Sequence, residues 1–200
     1  MTLYKNRQKF SGFSIKVGIA FSKCGLSPNQ WTLLSLVPIL VSVYFIIRES
    51  FLIAAVLFIV TGFMDMIDGA VARVTGRVSK LGAYLDTVVD RYIEGLIVFA
   101  LLFASLPSFY LPIYAWLVIY LYGALTTTYF KSAAKEKELV SEELKGGILE
   151  RAERLILLFI GLLLAVFNPL YLTYIIVILA VLSNVSGLQR IGIAIRKSKA

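Results

Sequence analysis

The stretch Phe51–Leu101, FLIAAVLFIVTGFMDMIDGAVARVTGRVSKLGAYLDTVVDRYIEGLIVFAL, consists of two long apolar runs joined by a short basic segment, and acids interrupt both runs. Asp65 and Asp68 stand three apart in the first run; Asp86 and Asp90 stand four apart in the second, with Glu94 beyond them. On helices these steps place each pair on one face. The connection is so short that the two helices are antiparallel neighbours, which lets all four aspartates turn toward one another. An acid at the centre of a membrane helix costs about 2.5–3.5 kcal/mol on insertion scales. Four aspartates within 26 positions therefore require a compensating partner.

Composition places these runs in a membrane. The chain of 200 residues is 59% hydrophobic and 16% charged, with a mean hydropathy of +0.84. Soluble domains are roughly 45–50% apolar and about 25% charged. The excess apolar surface has no aqueous home, and the length suits one domain. There is no histidine, which excludes a Ser-His-Asp triad, a His-ligated zinc and an imidazole base. The single cysteine, Cys24, excludes an internal disulfide. A net charge of +8 fits an anionic membrane surface or a phosphorylated substrate better than nucleic acid, which is not expected as a partner.

The pattern predicts an all-α integral membrane protein, a bundle of six transmembrane helices preceded by an amphipathic interfacial helix. Residues 1–24 carry Lys5, Arg7, Lys9, Lys16 and Lys23 and no acid, and Phe10, Phe13, Val17 and Phe21 form one apolar stripe. They read as a juxtamembrane helix lying on the membrane, with a disordered basic arm as the alternative. Lys16 and Lys23 break the pattern of a secretory signal. The membrane domain is expected over 25–200. Ser27, Pro28 and Gln30 are a helix start with a capping box. Spans are expected near 30–47, 51–73, 80–105, 110–131, 151–167 and 169–188. Positive charge collects at the amino terminus, Arg73–Lys80, Lys131–Arg154 and Arg190–Lys199. Both termini and the acid-bearing ends are therefore expected in the cytoplasm.

Four facing carboxylates cannot all be ionised without cations. Oxygen-only donors select a hard divalent ion, magnesium or manganese, and four carboxylates suit two ions. Gly69 and Ala72 keep the adjacent wall small, so a bulky ligand can approach the backbone. Arg73 suits phosphate recognition, and Ser79 offers a hydroxyl.

Together these residues read Asp65-x2-Asp68-Gly69-x2-Ala72-Arg73-x8-Gly82-x3-Asp86-x3-Asp90. The arrangement resembles the signature of the CDP-alcohol phosphotransferase family, as do the six-span plan and the Gly25-Leu26-Ser27-Pro28-Asn29 segment before span one. The resemblance implies that Asp65, Asp68, Asp86 and Asp90 hold two divalent metals on the pyrophosphate of a CDP-linked lipid alcohol. It implies that Asp90 is also the general base on the acceptor hydroxyl, with CMP as the leaving group. Asp68, Gly69, Ala72, Arg73, Ser79 and Gly82 would hold the nucleotide, and the enzyme would be a homodimer among membrane lipids. Arg91 and Glu94 lie outside the signature and read as buried ion-pair partners. Asn29 reads as a helix-start residue, with nucleotide contact as the alternative.

Downstream, Gly147-Ile148-Leu149-Glu150-Arg151-Ala152-Glu153-Arg154-Leu155 resembles the members of that family that use inositol phosphate. The resemblance implies an anionic acceptor pocket made by Arg151, Arg154 and Arg190, with Lys135 beside them. A cytoplasmic excess of positive charge and a salt-bridged helix start are the alternatives for these residues. The expected donor is CDP-diacylglycerol or CDP-archaeol, and glycerol phosphate, serine or another alcohol are rival acceptors. An ion-coupled transporter is the rival of a different class. Against it, all four aspartates lie in one helical pair and no internal repeat is visible. A noncatalytic membrane anchor would have no use for four costly acids.

Overall fold

A computed structural model of the chain describes residues 7–140 and 146–198, with side chains from residue 12. Lys5, Lys199 and residues 141–145 of the long basic loop lie outside the described residues, as do the side chains of Arg7, Lys9 and Phe10. The described residues form helices and no named strand. The helices are α1 (Arg7–Ser22), α2 (Pro28–Leu34), α3 (Leu36–Ile47), α4 (Phe51–Val74), α5 (Lys80–Leu101), α6 (Ile113–Glu136), α7 (Arg151–Ala165) and α8 (Pro169–Lys197).

Helices stand at all six expected places. Among the described residues, four segments are long and apolar enough to cross a bilayer: Pro28–Ile47, α4, α6 and α8. The other two fall short for physical reasons. α5 carries Lys80, Asp86, Asp90, Arg91 and Glu94. α7 has 15 residues, about 22 Å at ~1.5 Å per residue against a hydrocarbon core of about 30 Å.

Local chemistry explains the boundaries. Ser27 caps α2, with its Oγ accepting from Gln30 N at 3.3 Å while Gln30 Oε1 accepts from Ser27 N at 2.7 Å. α2 stops at Leu34 because Pro38 lacks an N–H and its ring collides with the carbonyl four residues back. α5 ends at Leu101 rather than 105, in a turn whose Ser105 amide is held by Glu49 Oε1 at 2.9 Å. α8 runs to Lys197 rather than stopping near 188, and Arg196 and Lys197 in its last turn complement the helix dipole.

Two compact units emerge, Met1–Tyr44 with Ile53–Ile97 and Phe45–Leu52 with Val98–Ala200. In the first, Val17, Trp31, Ile67, Ala70 and Val71 form a core against which Phe21, Leu26, Met64 and Met66 pack. The stripe expected on α1 is thus divided: Val17 is buried and Phe21 meets Trp31 edge-on at 5.4 Å, while Phe13 is exposed. Gly18 permits the close approach of α1 to α4, since a Cβ there would stand 2.6 Å from the Ala70 carbonyl oxygen. Leu52, Val56, Ile59 and Phe63 line an exposed apolar stripe of α4, whereas Ala54, Ala55, Phe58 and Thr61 are buried. Apolar side chains outward and small or polar ones inward are the pattern of a helix solvated by lipid, where packing rather than water exclusion holds helices together.

In the second unit α6 and α7 each pack on α8. Gly123 faces Asn184, whose Nδ2 donates to Ile119 O at 2.9 Å and Ala180 O at 2.8 Å. Gly161 similarly admits Leu172, 2.8 Å from where its Cβ would lie.

Candidate active site

The first unit assembles the carboxylates. α4 supplies Asp65 and Asp68, α5 supplies Asp86, and one carboxylate oxygen from each lies within 4.8 Å of the others. Asp68 is buried, and Asp65 and Asp86 are half-buried. Asp90, one turn farther along α5, is buried and is not one of these three. Its Oδ2 stands 3.4 Å from Arg91 Nη1, which also donates to Thr87 O at 2.9 Å. Arg91 therefore pairs with Asp90, but it is half-buried rather than buried as its sequence suggested. Glu94 is buried on the same helix. Three carboxylates this close in a poorly solvated site repel one another unless protons or cations intervene. All donors are hard oxygens, a set that fits a divalent ion such as magnesium or manganese.

A cavity of about 530 Å³ adjoins the cluster. Its walls include Asp65, Asp68, Gly69, Ala72, Arg73, Ser79, Gly82 and Asp86, so the structure brings the expected metal-binding residues other than Asp90 together with the expected nucleotide-binding ones. The glycines have distinct reasons. A Cβ at Gly82 would meet Asn29 Oδ1 at 3.1 Å and Ser79 Oγ at 3.2 Å; one at Gly69 would meet Arg73 Nη1 at 3.3 Å. Ser79 caps α5, accepting from Gly82 N at 3.0 Å. That bond uses a lone pair and leaves the hydroxyl proton to donate elsewhere.

Several residues in or behind the wall were not singled out from sequence. Thr32 of α2 is buried and its Oγ1 donates to Asp68 Oδ2 at 2.5 Å. Ser14 of α1 accepts from Arg73 Nη2 at 2.8 Å, so the expected phosphate-binding arginine is already oriented by the amino-terminal helix. Arg77 adds a second cation to the cavity wall. Only the capping box signalled that α2 begins here, and no local pattern reports a bond spanning 36 or 59 positions.

The expected acceptor residues lie in the second unit. Arg154 and Arg190 are buried. Arg190 Nε donates to Gly146 O at 3.2 Å and its Nη1 to Thr127 O at 2.7 Å. Arg151 and Arg154 leave the first turn of α7, whose entry is closed by Glu150 N donating to Glu153 Oε2 at 2.5 Å. Glu150 and Glu153, which flank Arg151, thus serve the helix start, where negative charge is favoured. Lys135 is exposed in the last turn of α6, and it is Lys137 that shares a cavity of about 230 Å³ with Arg190.

Comparison with known proteins places this geometry among relatives. Residues 26–186 match the family model described as CDP-alcohol phosphatidyltransferase. An archaetidylinositol phosphate synthase of Pyrococcus horikoshii is 32% identical over 192 residues, covering 94% of this chain and 94% of that one. The crystal structure of Mycobacterium tuberculosis phosphatidylinositol phosphate synthase with CDP-DAG bound is 25% identical, with a TM-score of 0.80 over 90% of this chain and 92% of that one. The same synthase in complex with manganese and citrate is 26% identical, with a TM-score of 0.81, covering 90% and 88%.

Proposed function

Because this chain belongs to the CDP-alcohol phosphatidyltransferase family, we propose that it transfers the phospho-alcohol of CDP-diacylglycerol or CDP-archaeol to inositol phosphate, releasing CMP. The observation that carries the reading is the carboxylate cluster of Asp65, Asp68 and Asp86 in the wall of a cavity whose other walls are Gly69, Ala72, Arg73, Ser79 and Gly82. The synthase names of the relatives support the acceptor.

Asp65, Asp68, Asp86 and Asp90 would hold two divalent ions, magnesium or manganese. When bound, such ions neutralise the diphosphate and the charge growing on departing CMP. Arg73 binds nucleotide phosphate as a planar cation, oriented by Ser14. Gly69 and Gly82 leave room for the nucleotide against α4 and α5. Asp90 takes the proton of the acceptor hydroxyl, whose oxygen forms a bond to the phosphorus next to the lipid alcohol. The bond from that phosphorus to the CMP oxygen breaks, so one phosphate ester forms for each pyrophosphate bond lost. Arg151, Arg154 and Arg190 bind the phosphate of the acceptor, since fixed guanidinium groups suit a phosphorylated alcohol and have no use for a neutral one.

Around this chemistry the chain is a six-span domain over 25–200, with residues 1–24 as an interfacial helix, both termini and the site on the cytoplasmic face, and a homodimer as the working form. Exposed Cys24 offers a direct topology probe. An impermeant maleimide is expected to label it in inside-out vesicles and not in right-side-out ones.

The reaction is tested by CMP release from purified protein with magnesium and CDP-lipid, with and without inositol phosphate. Strong stimulation by inositol phosphate is expected. Stimulation by glycerol phosphate or serine alone would overturn the acceptor, and no release with any acceptor or metal would overturn the reaction.

A further inference from the structure

The segment that leads into α7 is tied down from one side by one face of α8. Its amides precede α7 and so take no part in that helix's own hydrogen-bond ladder. Leu149 N donates to Ser186 Oγ at 2.9 Å. Ile148 N donates to Gln189 Oε1 at 3.0 Å. Gly146 O accepts from Arg190 Nε at 3.2 Å. Ser186, Gln189 and Arg190 sit at three- and four-residue steps, the spacing of a single helical face. The backbone accommodates these bonds through two left-handed glycines, Gly146 at φ 115° and Gly147 at φ 131°, a conformation that side-chain-bearing residues resist. Leu149 then plugs into the protein, buried like Ser186.

We propose that Ser186 and Gln189 are positioning residues for acceptor specificity: they fix the Gly146–Glu150 strap and, through it, Arg151 and Arg154 for a phosphorylated alcohol. The inference rests on the acceptor reading above and adds to it the device that holds the arginines ready. Glu150 and Arg154 are close enough to Arg190 to interact with it electrostatically. Like-charged guanidinium groups held near one another gain from an anion between them. A strap fixed beforehand spares the acceptor the entropy of ordering it on binding. The residues that line the nucleotide cavity belong to the other unit, so the effect should fall on the acceptor alone.

The test uses Ser186→Ala, Gln189→Met and their combination, with Gln189→Glu as the variant that keeps an accepting oxygen. Gln189 is exposed, so its variants do not burden the core. Amide exchange at Ile148 and Leu149 is expected to quicken about tenfold in the double variant. The KM for inositol phosphate is expected to rise about two- to tenfold per lost bond, with the KM for CDP-lipid within about twofold of wild type and Gln189→Glu close to wild type in both. Unchanged exchange, faster exchange with an unchanged acceptor KM, an equal rise in both KM values, or Gln189→Glu behaving like Gln189→Met would each overturn the proposal. Failure of the acceptor reading shows separately, as wild-type turnover that inositol phosphate does not stimulate. The same ratios are then read with the acceptor the wild type does use, under the same rule.

Discussion

Thr32 Oγ1 donates to Asp68 Oδ2 at 2.5 Å, joining α2 to α4 between two buried residues. The hydroxyl also lies 3.2 Å from Pro28 O. With one proton to give, it favours the nearer, charged acceptor. A carboxylate bonded from behind keeps its orientation and presents its other lone pairs to a cation, which is how groups behind a metal ligand govern affinity.

Thr32→Val keeps the shape and removes the donor. Affinity for Mn2+, titrated by electron paramagnetic resonance on the purified protein, is expected to fall about tenfold or more. Thr32→Ser should stay within a few-fold of wild type. Equal binding by Thr32→Val would show that Asp68 is held by α4 alone.

Asp90 stands apart from the three clustered carboxylates, beside Arg91. As the base on the acceptor hydroxyl, Asp90→Asn should fold and bind CDP-lipid while turnover falls about 10²–10⁴-fold. CMP release and a nucleotide-dependent shift in Tm measure the two properties separately. Full turnover in Asp90→Asn would move the base elsewhere.

The acids and their partners differed in how far the sequence disclosed them. Asp65, Asp68 and Asp86 were legible because helical periodicity alone puts each pair on one face and a short connection brings the faces together. Ser27, Pro28 and Gln30 were legible because a capping box is a local code. The bonds from Thr32 to Asp68, from Arg73 to Ser14 and from Arg190 to Thr127 were not, since they join positions 36, 59 and 63 apart. Hydropathy reported the apolar part of α8 and not its end, because a helix can continue on dipole-matched basic residues, as α8 does through Arg196 and Lys197. Lys137 rather than Lys135 joins the cavity beside Arg190 for a related reason: the register after a long helix depends on where it ends.

Glu49 gives a pH dependence of stability. It occupies a left-handed position, φ 56°, and its carboxylate accepts from the Ser105 amide. Hydrogen bonding from the Ser105 side chain and then from its amide holds the Glu49 pKa below the ordinary value. A depressed carboxylate pKa means that the contribution is complete above the ordinary glutamate value of about 4.3 and disappears as pH falls through the lower folded value. The Tm of wild type should therefore exceed that of Glu49→Gln at pH 7, and the gap should shrink as pH falls below the ordinary glutamate value. A gap that widens in acid would reverse the sign and refute the assignment.

Gly18 should control Arg73 without touching the nucleotide. A Cβ at residue 18 would lie 2.6 Å from Ala70 O and 2.7 Å from Val74 Cγ2. The first of these neighbours is backbone inside α4, so α1 must move instead, at a cost of about 1–3 kcal/mol for an overpacked contact. Ser14 stands one turn earlier on α1 and holds Arg73 Nη2 at 2.8 Å, a bond that cannot survive a displaced helix. Gly18→Ala is therefore expected to raise the KM for CDP-lipid about two- to tenfold and to speed amide exchange along α1. Gly12→Ala, where a Cβ meets nothing within 4 Å, serves as the control on the same helix. Faster exchange in α1 with an unchanged KM for CDP-lipid would mean that Arg73 finds the nucleotide phosphate without help from Ser14.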